Sequence, residues 1–168
     1  DCSYNLISSI DLSANSQLIF LDVSGNQLTS LDLSNNLVLD LLQAYENQIT
    51  AIDVSANTMI TTVTVYDNNL STLNLQNGNN TNMTIAAFLN APLTCIQVDD
   101  VTYATSNWTG DVDPGAAFSL ACNLSTTVTT FNASPACAGA TVTVDWTVSQ
   151  SFPFGNIFTV ELSDASGS

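Results

Sequence analysis

The sequence predicts a mainly β chain, wound into a solenoid with two short strands per coil and followed by a cap and the start of a separate β domain. Three observations predict it: evenly spaced asparagines, aliphatic residues at fixed offsets before each of them, and strict two-residue alternation near the C-terminus. The asparagines fall at Asn5, Asn15, Asn26, Asn36, Asn47, Asn57 and Asn68, so steps of ten and eleven alternate along the chain. Before each interior asparagine runs L-x-x-L-x-L-x-x-N, with other small or aliphatic residues at some Leu positions. Examples are Leu18-Leu21-Val23-Asn26, Leu28-Leu31-Leu33-Asn36, Leu39-Leu42-Ala44-Asn47 and Ile60-Val63-Val65-Asn68. Consecutive matches to a spaced template are the signature of a repeat architecture.

Units beginning at Ile7, Leu28, Ile49 and Leu70 recur at one fixed interval, a step of ten plus a step of eleven, as do those at Leu18, Leu39 and Ile60. One coil of about 21 residues therefore holds two short strands and two tight turns, within the range of leucine-rich repeats. Within each strand the L-x-L portion alternates in and out. The inward aliphatics must stack on the coils above and below, because one coil cannot bury its own apolar face. Each asparagine amide can sit in a turn and bond backbone groups that would otherwise lack partners. Residues 1–98 form the solenoid, roughly five coils or ~20–25 Å at the usual strand spacing. The chain opens mid-coil, with Cys2 at the inward position later held by Val23, Ala44 and Val65. Further repeats are expected before it in a longer parent, and Cys2 is expected as a small buried core residue.

This pattern resembles bacterial leucine-rich repeats of the nested type with alternating 10- and 11-residue units, often called IRREKO repeats. The stretches LDVSGNQLTSLDLSNN and AIDVSAN are similar to surface proteins of Bacteroidetes that leave by type IX secretion. The resemblance implies a secreted, cell-surface leucine-rich-repeat solenoid and says far less about a ligand, since function on a shared fold lives in the site.

Regularity fails after Leu75, and residues 76–82 (QNGNNTN) read as a polar loop. Two irregular units follow around Met83–Leu89 and Leu93–Val98. Residues 99–122 are expected to cap the last apolar layer with Tyr103, Trp108 and Phe118. The stretch from Cys95 to Cys122 resembles the cap that ends repeats in related Bacteroidetes proteins, and that resemblance implies a Cys95–Cys122 disulfide. From Asn123 the pattern changes. Val142, Val144, Trp146 and Val148 alternate with Thr141, Thr143, Asp145 and Thr147, which reads as a half-buried strand. Residues 158–162 and 128–131 read as two more, and the whole of 123–168 resembles the start of an immunoglobulin-like β-sandwich. Such a sandwich needs about seven strands, so this one reads as partial, with Cys137 lacking an assigned partner.

Charge narrows the function. The chain has no Lys, Arg or His and 15 Asp plus Glu, for a net charge of −15; average usage would put roughly 20 Lys plus Arg in this length. Nucleic acid and anionic membrane surfaces need cations on the protein, so neither is expected as a direct partner. No apolar run approaches the ~20 residues that span a bilayer. Catalysis lacks a Ser–His pair, an imidazole metal site, a Schiff-base lysine and a guanidinium clamp. Two carboxylates can hydrolyse a glycoside, but Glu46 and Glu161 are isolated, so no enzyme is expected. The sequons at Asn69, Asn79, Asn82, Asn107, Asn123 and Asn132 are expected to be mostly bare.

The two strand series differ on their outward positions. One reads Ser9-Asp11-Ser13, Ser30-Asp32-Ser34 and Ala51-Asp53-Ser55, a uniform and scaffold-like face. The other reads Phe20-Asp22-Ser24, Leu41-Gln43-Tyr45 and Thr62-Thr64-Tyr66. Variation with exposed aromatics suits recognition, which makes Phe20, Leu41, Gln43, Tyr45, Thr64 and Tyr66 the candidate ligand-binding residues. The competing reading is that these rings merely stack on neighbouring coils. The Asp11-Asp32-Asp53 ladder reads as solvated carboxylates rather than a metal cage. Asp99, Asp100, Asp111 and Asp113 are the better calcium candidates, because loops can converge several oxygens; no other cofactor is expected. Two functions follow. One is a cell-surface adhesion or recognition module binding a protein or glycan through the variable face; the other is a structural subunit or spacer of an extracellular fibre or sheath that self-associates.

Overall fold

The computed structural model describes residues 1–122, which form one compact unit, Asp1–Cys122. The immunoglobulin-like expectation for 123–168, including Cys137, lies outside the described residues. Eight three-residue strands appear: β1 Phe20–Asp22, β2 Leu41–Gln43, β3 Ala51–Asp53, β4 Thr62–Thr64, β5 Thr72–Asn74, β6 Thr84–Ala86, β7 Cys95–Gln97 and β8 Ala117–Ser119. A 3-10 turn, Asn80–Asn82, precedes β6, and one α-helix, α1 Val101–Asn107, follows β7. The strands build two parallel sheets of four, β1-β2-β4-β6 (sheet A) and β3-β5-β7-β8 (sheet B). Leucine-rich-repeat coils thus stack into a solenoid at the interval that the repeat predicts.

The middle residue of each strand points inward and is buried in β1 to β7, while Phe118 in β8 is half-buried. Leu21, Leu42, Val63 and Ile85 are aligned across sheet A, and Ile52, Leu73, Ile96 and Phe118 across sheet B. Leu28, Leu33, Leu39, Ile49, Ile60 and Leu70 fill the space between the walls and are buried to 2% exposure or less. Burying one such side chain is worth about 1.5–3 kcal/mol. Every layer needs its neighbours, because the coil above supplies the other half of its contacts.

The turns depend on the asparagines. In the column Asn26, Asn47, Asn68, Asn90 each amide spans two coils. Asn47 Nδ2 donates to Val23 O of the preceding coil at 3.0 Å and to Ala44 O and Tyr45 O of its own at 3.3 and 3.1 Å. Its Oδ1 accepts from Leu28 N at 3.0 Å. Asn26, Asn68 and Asn90 repeat the arrangement, receiving Ile7 N, Ile49 N and Leu70 N. The residue before each asparagine is left-handed: Tyr4, Gly25, Glu46, Asp67 and Leu89 have φ of 52, 62, 55, 53 and 56°. Four of those five carry a Cβ, in a conformation L residues rarely adopt; the amide bonds on either side hold it.

The second column, Asn36, Asn57 and Asn77, is less complete. Asn57 Nδ2 donates to Leu33 O at 3.1 Å and Asn36 O at 2.8 Å. The Oδ1 atoms of Asn36 and Asn57 are buried without a protein partner. The backbone N–H three residues on, Leu39 or Ile60, donates to the asparagine's own carbonyl.

Four expectations need correction or refinement. Cys2 is exposed, not a core residue. Its backbone N–H bonds Asp22 O in the expected register. Asp22 and Ser24, expected to face outward as exposed residues, are buried. Residues 76–82 form the polar connection expected, ending in the 3-10 turn, but two of its asparagines are buried: Asn77 and Asn80, of which Asn80 donates to Leu75 O at 2.8 Å and accepts from Asp99 N at 2.7 Å. Finally, the cap at residues 99–122 is itself built as a further coil. After α1 the chain rejoins sheet A's side through Ala87↔Val112 and then adds β8 to sheet B in register with β7. Trp108 and Ala104 join the core there, with Tyr103 and Phe118 packed against it. Cys95 and Cys122 are joined in a disulfide.

The two asparagine columns should differ in weight. Asn47→Ala strands the buried Leu28 N–H and takes one of two donors from Val23 O, Ala44 O and Tyr45 O, which keep Asn26, Asn68 and the Gly25 N–H; with about 1–3 kcal/mol for the stranded group the expected loss is roughly 2–4 kcal/mol. Asn57→Ala removes fewer bonds and an already unpartnered oxygen, and should cost clearly less. Denaturant unfolding of both variants checks the order; equal losses would contradict it.

Candidate functional site: two strand walls

The outer face of sheet A carries three columns. Phe20, Leu41, Thr62 and Thr84 line the first, and Asp22, Gln43, Thr64 and Ala86 the second. The third, two residues past each strand, is Ser24, Tyr45, Tyr66 and Phe88. All six candidate binding residues, Phe20, Leu41, Gln43, Tyr45, Thr64 and Tyr66, therefore share this wall. Phe20 is exposed and the other five are half-buried.

The rings of the third column stack on one another. Tyr45 and Tyr66 lie 4.6 Å apart between centroids with planes 10° from parallel, and Tyr66 and Phe88 4.9 Å apart at 5°. This spacing is the strand separation, because each ring leaves its coil at the same point, just before the left-handed residue. Tyr4 extends the column from a different backbone position. Ser24 offers no ring, and Gly25 offers no Cβ; one placed there would sit 2.5 Å from Tyr4 Cδ1. The Tyr4 ring occupies that space, and its hydroxyl donates to Tyr45 Oη at 3.5 Å.

Stacking has a chemical consequence. Both faces of Tyr66 and one face of Tyr45 are covered by neighbouring rings, so edges and hydroxyls are most of what the column presents. Glu46 and Asp67 are exposed beside it. Tyr4 is pushed up to about 12, mainly by its hydrogen bond with Tyr45, then by burial and by the Glu46 carboxylate. Tyr66 is raised by burial first and then by the charges of Tyr45, Glu46 and Asp67. Sequence reasoning does not reach Tyr4 or Phe88. Tyr4 occupies a left-handed position rather than the aromatic one, and Phe88 lies one position beyond where the repeat interval from Tyr66 would put it.

The wall of sheet B is built differently. Asp11, Asp32 and Asp53 each accept the backbone N–H two residues on, from Ser13, Ser34 and Ser55, at 2.9, 2.9 and 2.8 Å. Asp11 and Asp32 are held below the usual carboxylate range by the hydroxyl and backbone N–H of those serines. Burial pushes Asp53 up, but bonds from Ser55 and Asn74 outweigh it and leave the group lowered. A shallow concavity of about 570 Å³ runs over this wall, lined by residues that include Asp32, Ala51, Asp53, Thr72 and Asn74.

Three of the four loop carboxylates, those of Asp99, Asp100 and Asp113, are taken up by backbone N–H groups. Asp99 accepts from Gly78 N at 2.7 Å. Asp100 caps α1 through Tyr103 N at 2.9 Å. Asp113 accepts from Leu89 N and Asn90 N at 2.9 and 2.6 Å. Asp111 uses its backbone oxygen to hold Ala87 N. Among the described residues no group of three or more carboxylate, Cys or His side chains gathers for a metal, so Asp99, Asp100, Asp111 and Asp113 are not brought together as the calcium reading required.

The tyrosine column makes a pH prediction. A neutral Tyr4 phenol favoured in the folded state stabilises the fold below pH 10.0, and that contribution is lost as pH rises toward about 12. Phenolate absorbance should thus keep rising well above pH 10.0, and Tyr4→Phe should remove the last part of the rise. An unchanged alkaline end in Tyr4→Phe would contradict the Tyr4–Tyr45 contact.

No protein-family model matches the chain, and no curated protein matches it. A solved structure does: the functional domain of InlJ from Listeria monocytogenes, which includes a cysteine ladder. It is 32% identical with a TM-score of 0.54, over 62% of this chain and 22% of that one. The present chain thus spans about a fifth of that structure's length. The stacked columns described above are of asparagines and aromatic rings. With the repeat, the coil length and the two sheets, the likeness makes the described unit a leucine-rich-repeat solenoid.

Proposed function

We propose that this chain is a non-enzymatic recognition module of a secreted bacterial cell-surface protein, binding a protein or glycan through the outer face of sheet A. The observation that carries the reading is the contrast between the walls. The wall on sheet B's side carries one residue at three successive coils, Asp11-Asp32-Asp53, each turned to the same serine bond, and small polar Asn74, Gln97 and Ser119 continue that position in register without a ring. Sheet A's wall grades from Phe20 and Leu41 to Thr62 and Thr84 and carries a ring column along one side. A surface that differs at every rung can discriminate partners, and aromatics supply contact area at low entropy cost. Because stacking covers both faces of Tyr66 and one of Tyr45, contact runs mainly through tyrosine hydroxyls, ring edges and the flanking Gln43 and Thr64.

Other features agree with it. The nested 10- and 11-residue units resemble secreted Bacteroidetes surface proteins, and the InlJ domain is the structural likeness. No helix among the described residues is long and apolar enough to cross a membrane. The absence of Lys, Arg and His, with a net charge of −15, favours a neutral glycan or a basic protein over an anionic partner. At the last coil Trp108 is buried and Tyr103 and Phe118 pack beside it, which supports a covered end there.

The test is a pair of double variants. Tyr45→Ser with Tyr66→Ser should keep the fold, since Ser24 already occupies this column, and should abolish binding to cells or glycan arrays. Tyr45→Phe with Tyr66→Phe keeps the stack and removes the hydroxyls, and should weaken binding. If the serine variant binds as the parent does, with an unchanged melting curve, the wall has been misassigned.

A further inference from the structure

The disulfide sits where the chain leaves the solenoid. Cys122 is the last residue of the compact unit, and residues 123–168 continue from it. Its partner Cys95 opens β7, the strand flanked by β5 on one side and β8 on the other. The two cysteines are 27 apart in sequence, so the bridge closes the 26 residues between them into a loop. That loop holds nearly all of the last coil: α1, β8 and the buried Trp108.

We propose that the Cys95–Cys122 bridge is a mechanical bypass, which routes tension from the C-terminal side directly into β7 and keeps the last coil out of the load path. The reasoning is topological and energetic. A solenoid is held only by contacts between neighbouring coils, so it is weakest to peeling from an end. Without the bridge, a pull on residue 122 acts first on β8, which is held to β7 by three register pairs, Cys95↔Ala117, Ile96↔Phe118 and Gln97↔Ser119. Those pairs would open one after another and strip the cover from Ile96 and Trp108. With the bridge, the pull passes through sulfur to Cys95, and β8 carries no load. To move Cys95, the loop must be lifted from the preceding coil together with its core residues Ile96, Val98, Ala104 and Trp108, which are lost at once rather than in sequence. The device stands independently of which partner sheet A binds.

Single-molecule force measurement on the whole chain, held at its two ends, tests it. At a clamp force that the oxidised solenoid withstands, dithiothreitol should cleave the bridge, its thiolate displacing one cysteine sulfur. A single extension step should follow as the 26 enclosed residues pay out, roughly 3.5 Å each or about 90 Å of contour. In a force ramp, Cys95→Ser with Cys122→Ser should release this same length first and at lower force than the parent's first event. Residues 123–168 contribute equally to both chains. If that variant does not fold, the clamp on the parent still decides. No step on reduction, or a step only when the entire solenoid opens, would show that the last coil holds without the bridge and would overturn the proposal.

Discussion

The fold depends on one interaction: a buried asparagine amide that satisfies the backbone of two successive coils at once. A tight turn inside a solenoid leaves carbonyls and N–H groups facing a dry interior, and an unpaired buried polar group costs as much as a lost hydrogen bond or more. Asn26, Asn47, Asn68 and Asn90 meet that demand with donors to three carbonyls and an acceptor for one N–H. The same bonds hold Glu46, Asp67 and Leu89 in the left-handed region. They also set the height at which the preceding residue leaves the coil. The ring column of Tyr45, Tyr66 and Phe88 is therefore a consequence of the amide column behind it, and its 4.6–4.9 Å spacing is inherited from the coils.

Charge shapes the rest. A chain without Lys, Arg or His cannot form side-chain ion pairs, so stability comes from apolar layers and amide bonds. Its carboxylates are placed where repulsion is smallest or a donor is available. Asp11, Asp32 and Asp53 each take a serine N–H, Asp100 caps a helix, and Asp113 takes two backbone N–H groups. Most of these acids thus replace backbone partners, and this is why the loop aspartates do not converge on one point.

Much of this was legible in the residues. The aliphatic offsets of Leu21, Leu42 and Val63 and the length of the coil follow directly from spacing, because in a parallel stack the inward position must recur at each rung. What escaped was whatever the spacing no longer marks. The step from Val63 to Ile85 is one position longer than an interior coil, and that from Leu73 to Ile96 is two longer. Strands three residues long keep their register while the turns absorb the extra length, here through the 3-10 turn at Asn80–Asn82. Asn90 and Phe88 therefore continue their columns out of step with the count, although Ile85-x-Ala87-x-x-Asn90 still fits the template. Residues 99–122 hid a coil because α1 replaces part of the repeat. Burial of Asp22 and Ser24 was invisible too, since it depends on the first coil's tail pairing with β1. The candidate wall was legible as a set of outward residues, but ring stacking within it was not decidable from spacing alone.

The central claim is that asparagine amides tie each coil to the one before it. Residue-resolved hydrogen exchange of Leu28, Ile49 and Leu70 tests it most directly. These backbone N–H groups lie outside every strand, and each is bound only to the Oδ1 of Asn47, Asn68 or Asn90. They should exchange as slowly as the strand amides of Leu42 and Val63. Exchange at the rate of open turns would mean that the asparagines decorate the coils without holding them.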